Sequence, residues 1–322
     1  MIDGHAIVFR AYYAFPPSLT TPEGEQINAV YGFASILLTV LRELKPTHAA
    51  VAFDLDKPTF RHIDYADYKA QRPEVDQELK DQLNRVREVV RILNIPIFEV
   101  EGFEADDVIG TLGTQAVRSK QGGVGVIIVT GDQDAMQLVN GQVKVYVPQR
   151  GKKPAKIYGE KEVIERYGLH PDQIVDYKAL VGDVSDNIPG VKGVGPKTAV
   201  QLLKEFGTVE RLYRNDKLAL ESLASLSKSV VEKLADGYEN AIRSKKLAEI
   251  VLDVPISLNW KDCKLDDYDK KKAVELFESL GFRTLIAKLP NDNGEEVKKT
   301  PQNPAKAGWR GSKDKNKQIG LF

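Results

Sequence analysis

The hydrophobic positions of the first 150 residues alternate between short β-branched runs and longer stretches of helical periodicity. The run at 124–130 has the composition of a strand that is buried on both faces. Strand-like runs occur at 49–53, 95–100, 124–130 and 143–147, and helical patterns occur at 6–14, 28–44, 79–93, 108–117 and 135–139. Strands that alternate with helices indicate an α/β fold with a mostly parallel sheet flanked by helices.

The pattern becomes wholly helical after residue 160. Helical periodicity is found at 160–167, 171–181, 196–206, 226–246 and 269–280, with a break expected inside the fourth stretch. After Pro290 large apolar side chains are almost absent, so we expect a disordered tail. The patterns therefore predict an α/β domain at 1–180, a helical domain at 181–289 and a flexible basic tail at 290–322.

Acidic side chains follow the predicted strands at the points where the strands end, and two more acids stand three residues apart in a later turn. Ligands of parallel sheets bind outside the carboxyl ends of the strands, and carboxylate oxygens are the ligands that Mg²⁺ prefers. Two such ions about 4 Å apart can clamp the attacking and leaving oxygens of a phosphoryl displacement. The predicted ligands are Asp3, Asp54, Glu104, Asp106, Asp107, Asp132, Asp134, Asp183 and Asp186.

Simpler explanations exist for single members of this set. One Asp at a strand end is often only a turn residue, and the run 101–110 taken alone could be a solvated acidic helix start. Four strand ends that all carry acids favour the shared metal site. The four histidines show no ligand spacing, and Cys263, the single cysteine, excludes a Cys-based zinc site and is expected to be a buried hydrophobe.

Composition adds few restrictions. Hydrophobic residues make up 42% of the 322 residues and charged residues 29%, which is typical of a globular protein. No apolar run is long enough to span a bilayer, and the amino terminus has no secretory signal. A cytoplasmic location is therefore expected.

A glycine-rich segment at 187–199 has the helix-hairpin-helix pattern Gly-Val-Gly-Pro-Lys-Thr-Ala. Its glycines allow close backbone approach to a ligand, and free N–H groups at the following helix start can hold a phosphate. Such a motif positions nucleic acid without reading base edges, although a plain glycine turn between helices is the alternative. The predicted DNA contacts are Gly190, Lys192, Gly193, Gly195, Lys197 and Thr198.

A second candidate for nucleic-acid binding is the segment 60–73, where basic and aromatic residues interleave. Arg61, Lys69 and Arg72 could contact phosphates while rings such as Tyr68 stack on unpaired bases. On a helix, Lys69 and Arg72 would share a face. A solvated basic loop is the alternative.

Several motifs occur in the order found in bacterial 5′-nucleases. They are Asp3-Gly4, Ala52-Phe-Asp54, Phe60-Arg61, Tyr68-Lys69-x-x-Arg72-Pro73, Glu104-Ala-Asp-Asp-Val-Ile-Gly110, Thr130-Gly-Asp-x-Asp134 and Gly182-Asp-x-Ser-Asp-Asn-Ile-Pro-Gly-Val-x-Gly-Val-Gly-Pro-Lys197. Over residues 1–289 the chain resembles the flap endonuclease family, including the N-terminal 5′–3′ exonuclease domain of DNA polymerase I. The resemblance implies a PIN-like α/β domain, an H3TH-like helix-hairpin-helix domain and a helical arch at about 60–93.

The resemblance also implies two Mg²⁺ or Mn²⁺ ions and assigns roles to the candidate residues. Lys69 and Arg72 match cations that act on the scissile phosphate, Tyr68 matches a ring that stacks on the substrate, and the hairpin is implied to hold a K⁺ against the duplex. Ligands of the first ion are matched by Asp3, Asp54, Glu104 and Asp106, and those of the second by Asp132, Asp134, Asp183 and Asp186, with Asp107 completing the acid set.

The expected function is that of a structure-specific 5′-nuclease of replication and repair, both exonuclease and flap endonuclease. It would hydrolyse DNA or RNA-primer phosphodiesters at single-strand/duplex junctions, with Asp54 and Asp106 essential. A non-catalytic structure-specific DNA-binding protein and a PIN-type ribonuclease are the alternatives. The expected partners are branched or nicked duplex DNA and RNA primers, with no membrane, and the protein is expected to be a nucleoid-associated monomer.

The two ends of the chain carry further expectations. The tail residues Gln318, Leu321 and Phe322 resemble the peptide by which bacterial replication proteins dock on the sliding clamp. Only Met1-Ile2 precede Asp3, so the first strand should be short and Asp3 poorly anchored. Because no polymerase domain follows, the chain is interpreted as a stand-alone nuclease or a fragment.

Overall fold

Six strands in the first half of the chain form a single sheet. They are β1 (Ile2–Asp3), β2 (Val51–Ala52), β3 (Ile97–Phe98), β4 (Val126–Val129), β5 (Val143–Val147) and β6 (Lys156–Tyr158). Their order across the sheet is β3-β2-β1-β4-β5-β6, with the first five parallel and β6 antiparallel to β5. The order reverses between β1 and β4, and such a reversal opens a crevice at the carboxyl edge of the sheet.

The helices lie close to their predicted positions. In chain order they are α1 (Gly4–Ala14), α2 (Asn28–Leu44), α3 (Phe60–Asp64), α4 (Gln77–Ile92), α5 (Ala105–Val117), α6 (Glu160–Tyr167), α7 (Ile174–Val181), α8 (Pro196–Phe206), α9 (Val209–Leu212), α10 (Lys228–Asp236), α11 (Tyr238–Ala248), α12 (Lys270–Ser279) and α13 (Arg283–Ile286). Short 3₁₀ helices span Asp134–Leu138 and Pro171–Gln173. The break expected within 226–246 occurs at Gly237, between α10 and α11.

This computed structural model describes residues 1–119, 123–149, 151, 153–213, 228–265 and 268–290. Residues Met1–Pro290 form one compact unit. The tail from residue 291, with Gln318, Leu321 and Phe322, lies outside the described residues. Within the described ranges no helix is long and apolar enough to cross a membrane.

The sheet is covered by an apolar core on each face. One core joins α1, α2, α4 and α12 to the sheet and contains the fully buried side chains of Phe33, Val86 and Phe277. The other joins α5 to β4 and β5 through residues such as Ile109 and Val145. Each large apolar side chain that is fully buried contributes roughly 1.5–3 kcal/mol, so the strand ends are held on a rigid base.

The helical part of the chain has a separate core, and the glycine-rich connection between α7 and α8 folds as a tight hairpin beside it. Asp183 and Ile188 pair as an antiparallel bridge. Gly182 and Gly190 have φ angles of +79° and +61°, which glycine adopts without strain. A Cβ atom on Gly190 would lie 2.4 Å from the backbone nitrogen of Gly182, so this position needs glycine. Helix, hairpin and helix therefore follow one another as predicted.

The segment 249–258, called the strap here, returns from α11 to the α/β layers without regular secondary structure. Its backbone N–H groups donate hydrogen bonds to the side chains of Asp107, Thr111 and Gln115, at 2.9, 3.1 and 2.8 Å. These three residues stand four apart and so share one face of α5. The strap therefore fastens the chain that follows the helical part to the helix that carries the acids.

The structure differs from the sequence prediction in four local respects. β2 and β3 are shorter than the apolar runs that predicted them, because β1 offers only two residues for pairing. The edge strand β6 was not predicted, and the helix expected at 135–139 is a 3₁₀ helix. The expected arch at 60–93 consists of α3, a series of turns and α4, and Lys69 has a φ angle of +55°, so the predicted shared helix face of Lys69 and Arg72 is wrong.

Candidate active site

Five carboxylates converge at the crevice between β1 and β4. Burial and the charges of Asp3, Asp132, Asp134 and Asp54 raise the pKa of Asp106 well above its usual value. Burial, opposed by hydrogen bonds and reinforced by Asp54 and Asp132, raises the pKa of Asp3 to about 7. Burial and the charge of Asp132 raise the pKa of Asp134 to about 8. The predicted acids of β1, β2, α5 and the β4 end thus lie within electrostatic range of one another.

The sequence predicts divalent ions at this site. The donor groups have the right chemistry for such ions, but their present arrangement does not form a coordination shell. Within the described residues, no three Asp, Glu, His or Cys side chains form a ready ligand shell for one ion. The converging groups are nevertheless all carboxylates, which hard cations prefer, and their mutual repulsion calls for positive charge. The side chains would therefore have to turn their oxygens towards a shared centre when an ion binds.

Asp3 is held in place firmly, contrary to the expectation of weak anchoring. It caps α1 by accepting a hydrogen bond from the Ala6 N–H at 2.9 Å. The Thr130 hydroxyl donates to its other oxygen at 2.7 Å. The residue is 4% exposed and β1 pairs with β2 on one side and β4 on the other. A strand of two residues therefore suffices to fix this carboxylate.

Asp54 is fixed by the amino end of α5 and by a histidine. The Ala105 N–H donates to one Asp54 oxygen at 2.6 Å, where the helix dipole favours a carboxylate. The Asp54 N–H donates to His5 Nδ1 at 2.9 Å, which requires that nitrogen to be unprotonated. Burial lowers the pKa of His5, which favours its neutral form. His5 therefore positions Asp54 through a hydrogen bond to its backbone.

Two cations from the segment before α4 contact Glu104 and Asp186, and one of them, Lys69, contacts both. Lys69 Nζ lies 2.7 Å from Glu104 Oε1 and 3.8 Å from Asp186 Oδ2. Arg72 Nη2 contacts Asp186 Oδ1 at 2.5 Å. Lys69 and Arg72 thus reach the acid cluster together, although they do so from turns and not from one helix face.

The position of Tyr68 does not suit the base-stacking role that was predicted for it. Its side chain is only 3% exposed, so the ring is not available for stacking on a base in this conformation. Its hydroxyl lies 3.1 Å from Glu104 and 3.3 Å from Asp186. Lys69 Nζ lies 4.9 Å from the ring centroid. Tyr68 therefore helps to position Glu104, Asp186 and Lys69 through these contacts.

Arg61 and Asp107 form a buried ion pair instead of contacting DNA and metal. Two hydrogen bonds of 2.7 and 2.8 Å join the guanidinium to the carboxylate, and the two side chains are 3% and 0% exposed. Asp107 also accepts from the backbone N–H of Glu104 and of Val251. Arg61 donates to the carbonyl oxygen of Leu247 as well. These contacts engage both side chains, so we correct two predictions: Arg61 does not contact DNA, and Asp107 is not a metal ligand.

The hairpin residues divide into buried and exposed groups. Gly190 is buried and its N–H donates to the Ser244 hydroxyl at 2.9 Å, so its predicted DNA contact is wrong and its role is to shape the turn. Three predicted contacts, Lys192, Gly193 and Lys197, are exposed, while Gly195 and Thr198 are half-buried. The exposed lysines and the open start of α8 form a surface that suits a phosphate backbone.

Lys178 of α7 was missed by sequence reasoning. Its ammonium forms ion pairs with Asp134 and with Asp183, the latter at 2.6 Å. The Ser185 N–H and hydroxyl also donate to Asp183. A lysine five residues before Asp183 in a helical pattern reads as an ordinary surface residue, and only the fold brings it to the acids.

Family models match almost all of the part that carries these residues. The model of the 5′-3′ exonuclease N-terminal resolvase-like domain matches residues 1–168, and that of the 5′-3′ exonuclease C-terminal SAM fold matches residues 169–271. The chain belongs to the 5′-3′ exonuclease family. The resolvase-like domain and the helical domain of this family confirm the predicted fold class.

Sequence relatives of this 5′-3′ exonuclease family member support the family assignment. The chain is 43% identical over 302 residues to DNA polymerase I of Bacillus caldotenax, covering 92% of this chain and 33% of the relative. It is 45% identical over 298 residues to DNA polymerase I of Chloroflexus aurantiacus, covering 90% and 30%. The chain thus spans about a third of the length of these curated relatives. The predicted family and its 5′-nuclease class are confirmed.

A solved structure shares the fold of this family member at low identity. A bacteriophage T5 D15 flap endonuclease, in a pseudo-enzyme-product complex with DNA and metal ions, superposes with a TM-score of 0.62 at 20% identity, covering 89% of this chain and 94% of that one. The likeness shows the fold alone. The metal ions and DNA belong to that complex.

Proposed function

We propose that this 5′-3′ exonuclease family member is a metal-dependent phosphodiester hydrolase that acts at single-strand/duplex junctions of DNA, including 5′ flaps, nicks and RNA primers. The observation that carries the proposal is the convergence of the carboxylates of Asp3, Asp54, Asp106, Asp132 and Asp134 at the crevice between β1 and β4. Buried like charges of this density are retained where cations and a phosphate must meet.

Residues of the chain itself would hold, orient and neutralise the reacting groups. Two Mg²⁺ or Mn²⁺ ions, held by Asp3, Asp54, Glu104, Asp106, Asp132, Asp134, Asp183 and Asp186, would supply an activated water and stabilise the leaving oxygen. Lys69 and Arg72 lie beside Glu104 and Asp186, where they can turn to a phosphate and offset its developing charge. Asp54, which accepts from the first N–H of α5, and Asp106, which lies in the first turn of that helix, would be essential.

The duplex would be anchored on the exposed side of the hairpin. Lys192 and Lys197 offer positive charge there, and the first N–H groups of α8 are free to face a phosphate. A K⁺ held between the hairpin backbone and the duplex would fit the same surface, because backbone carbonyl oxygens are ligands for hard cations. This anchor recognises backbone geometry and would favour DNA duplex over single-stranded RNA.

The organisation of the chain is proposed as the sequence predicts it. An α/β nuclease domain at 1–180 would precede a DNA-binding domain at 181–289, and the tail at 290–322 would dock on a sliding clamp. The protein would act as a cytoplasmic, nucleoid-associated monomer. Removal of Gln318–Phe322 should abolish clamp binding without loss of flap cleavage, and unchanged clamp binding would contradict this role.

The test of the activity is cleavage of a 5′-flap duplex with and without Mg²⁺ by Asp54→Asn and Asp106→Asn variants. Each substitution removes a carboxylate charge, so we expect cleavage to fall by at least about a hundredfold, or roughly 2.7 kcal/mol in the barrier, while DNA binding persists. Asp253→Asn, which changes an exposed carboxylate outside the cluster, is the matched control. Undiminished cleavage by both site variants would refute the assignment.

Two alternatives are separated by the same assay. A non-catalytic DNA-binding protein would bind the flap and cleave nothing in any metal. A PIN-type ribonuclease would cut single-stranded RNA faster than the flap, and the helix-hairpin-helix, which suits duplex DNA, argues against that outcome.

A further inference from the structure

The acids of the candidate active site differ in how their charges are balanced. Asp134 and Asp183 share the ammonium group of Lys178, whose side chain is only 13% exposed. In the part of the chain that the structure describes, Asp3, Asp106 and Asp132 take part in no ion pair with a lysine or arginine within 4 Å. Asp134 and Asp183 therefore carry a cation of their own, and Asp3, Asp106 and Asp132 do not.

Lys178 is held in this position by the fold. It lies on α7, and its ammonium connects the 3₁₀ helix that starts at Asp134 with the hairpin that starts after α7. Burial acts to lower the pKa of Lys178, but the charges of Asp134 and Asp183 outweigh burial and raise it, so the group remains charged. The carboxylates it joins come from elements 49 residues apart, and the lysine fixes their separation.

We propose that Lys178 is a resident counter-ion that occupies the metal-binding oxygens of Asp134 and Asp183, and that it must leave them before the second divalent ion can bind. This inference rests on the proposed two-ion function. Lys178 Nζ contacts Asp134 Oδ1 and Asp183 Oδ2. An ammonium group and a divalent ion cannot both bind these two oxygens closely, so an ion that uses them competes with Lys178. The first ion can bind the carboxylates of Asp3, Asp54 and Asp106 without displacing a lysine or an arginine, although Lys69 contacts its fourth proposed ligand, Glu104, at 2.7 Å. It should therefore bind more tightly than the second ion.

Replacement of Lys178 should therefore affect the two ions differently. In Lys178→Met the competitor is gone, so the weaker Mn²⁺ site should tighten by at least tenfold, while the stronger site changes by less than twofold. A lysine that acted only through long-range charge would affect both sites to a similar extent. The selective change is the signature of direct competition.

The experiment is a Mn²⁺ titration of the full chain without substrate. Binding is measured by calorimetry and by the paramagnetic signal of free Mn²⁺. The variants are Lys178→Met, Lys178→Gln and Lys178→Arg, of which the last retains the charge and should retain a weak second site. Lys245→Met is the matched control, since Lys245 also joins two carboxylates, Asp176 and Glu210, and is 17% exposed. It should leave both Mn²⁺ affinities unchanged.

Thermal unfolding provides a second measurement on the same samples. In a chelator, Lys178→Met and Lys178→Gln should melt at lower temperature than the parent protein because two carboxylates then face each other without a cation. Saturating Mn²⁺ should raise their melting temperature by more than it raises that of the parent. Lys245→Met should lose stability equally with and without Mn²⁺.

The outcomes separate this inference from the function on which it rests. A parent protein that binds no Mn²⁺ would overturn the proposed metal site itself. A parent protein that binds two ions, with a weaker affinity that Lys178→Met and Lys178→Gln leave unchanged or reduce, would overturn the role of Lys178 alone. Equal tightening of both sites would also overturn it.

Discussion

Breaking the buried ion pair between Arg61 and Asp107 should destabilise the fold and leave metal binding intact. The pair is joined by two short hydrogen bonds, and both side chains are almost fully excluded from water. Removal of Arg61 leaves the Asp107 charge buried without compensation, and removal of Asp107 leaves Arg61 with only the Glu104 carboxylate, 3.7 Å away. Breaking a buried pair in this way costs about 3–5 kcal/mol. At about 1.36 kcal/mol per tenfold, the unfolding equilibrium constant should rise by roughly two to four orders of magnitude.

The assay is urea unfolding of Arg61→Met and Asp107→Asn in a chelator, with Mn²⁺ titration of the same variants. Arg85→Met is the matched control, because Arg85 pairs with Glu25 at the surface, where both side chains are 41% exposed. A pair of this kind contributes about 0–1 kcal/mol. The double variant Arg61→Met/Asp107→Asn should be more stable than the sum of its single changes predicts, because no unpaired charge remains.

Two results would refute this reasoning. A loss below about 1 kcal/mol in both single variants would show that the pair is not buried in solution, since it would then behave as a surface pair. A tenfold or greater loss of Mn²⁺ affinity in Asp107→Asn would return Asp107 to the metal ligands, as the sequence first indicated.

Two further predictions concern the acids and the hairpin. Burial and repulsion raise the pKa of Asp3 to about 7 and that of Asp134 to about 8, so the metal-free fold should lose stability as pH rises from about 4 to 8. Mn²⁺ affinity should rise over the same range because the ion displaces those protons. Calorimetry in two buffers of different ionisation enthalpy counts the released protons, and a pH-independent Mn²⁺ affinity would contradict the raised pKa values. Gly190→Ala should weaken duplex binding by at least tenfold, because the added Cβ would press on the Gly182 backbone. Gly141→Ala is the control, since a Cβ at Gly141 meets open space. Equal duplex binding by the two variants in a filter assay would contradict the proposed role of the hairpin.

The acids that converge at the crevice could be located from sequence because parallel strands deliver their ends to one edge of a sheet. The strand-end positions of Asp3, Asp54 and Asp132 follow from that rule without any distance information. The rule also explains why α5, which follows β3, starts beside them. The pattern determines the edge on which a residue lies, and that was enough to assemble the cluster.

The distinction between Asp106 and Asp107 was beyond the sequence. Adjacent helical residues point about 100° apart, and only the packing around them decides which faces the crevice. Asp107 is turned inward by the strap, whose Val251 lies 144 residues away along the chain. No local signal carries that information, so neighbouring acids looked equivalent.

The basic residues of 60–73 show the same limit. Arg61 and Lys69 both read as exposed cations in a polar segment, yet Arg61 is buried because the Leu247 carbonyl and Asp107 receive its guanidinium. Lys69 adopts a left-handed backbone conformation that a helical pattern does not predict. Contacts between distant segments, and not local propensity, selected the residues that reach the acids.

The strap has a consequence for how the protein is made. A ribosome completes α5 long before it reaches residues 249–258, so the polar side chains of Asp107, Thr111 and Gln115 emerge without the backbone partners that they have in the finished protein. Pairing across such a separation is slow to form because the intervening chain must first be closed into a loop. In the newborn chain, α5 and the Asp106 that it carries should therefore reach their final position only after residues 160–248 have been synthesised.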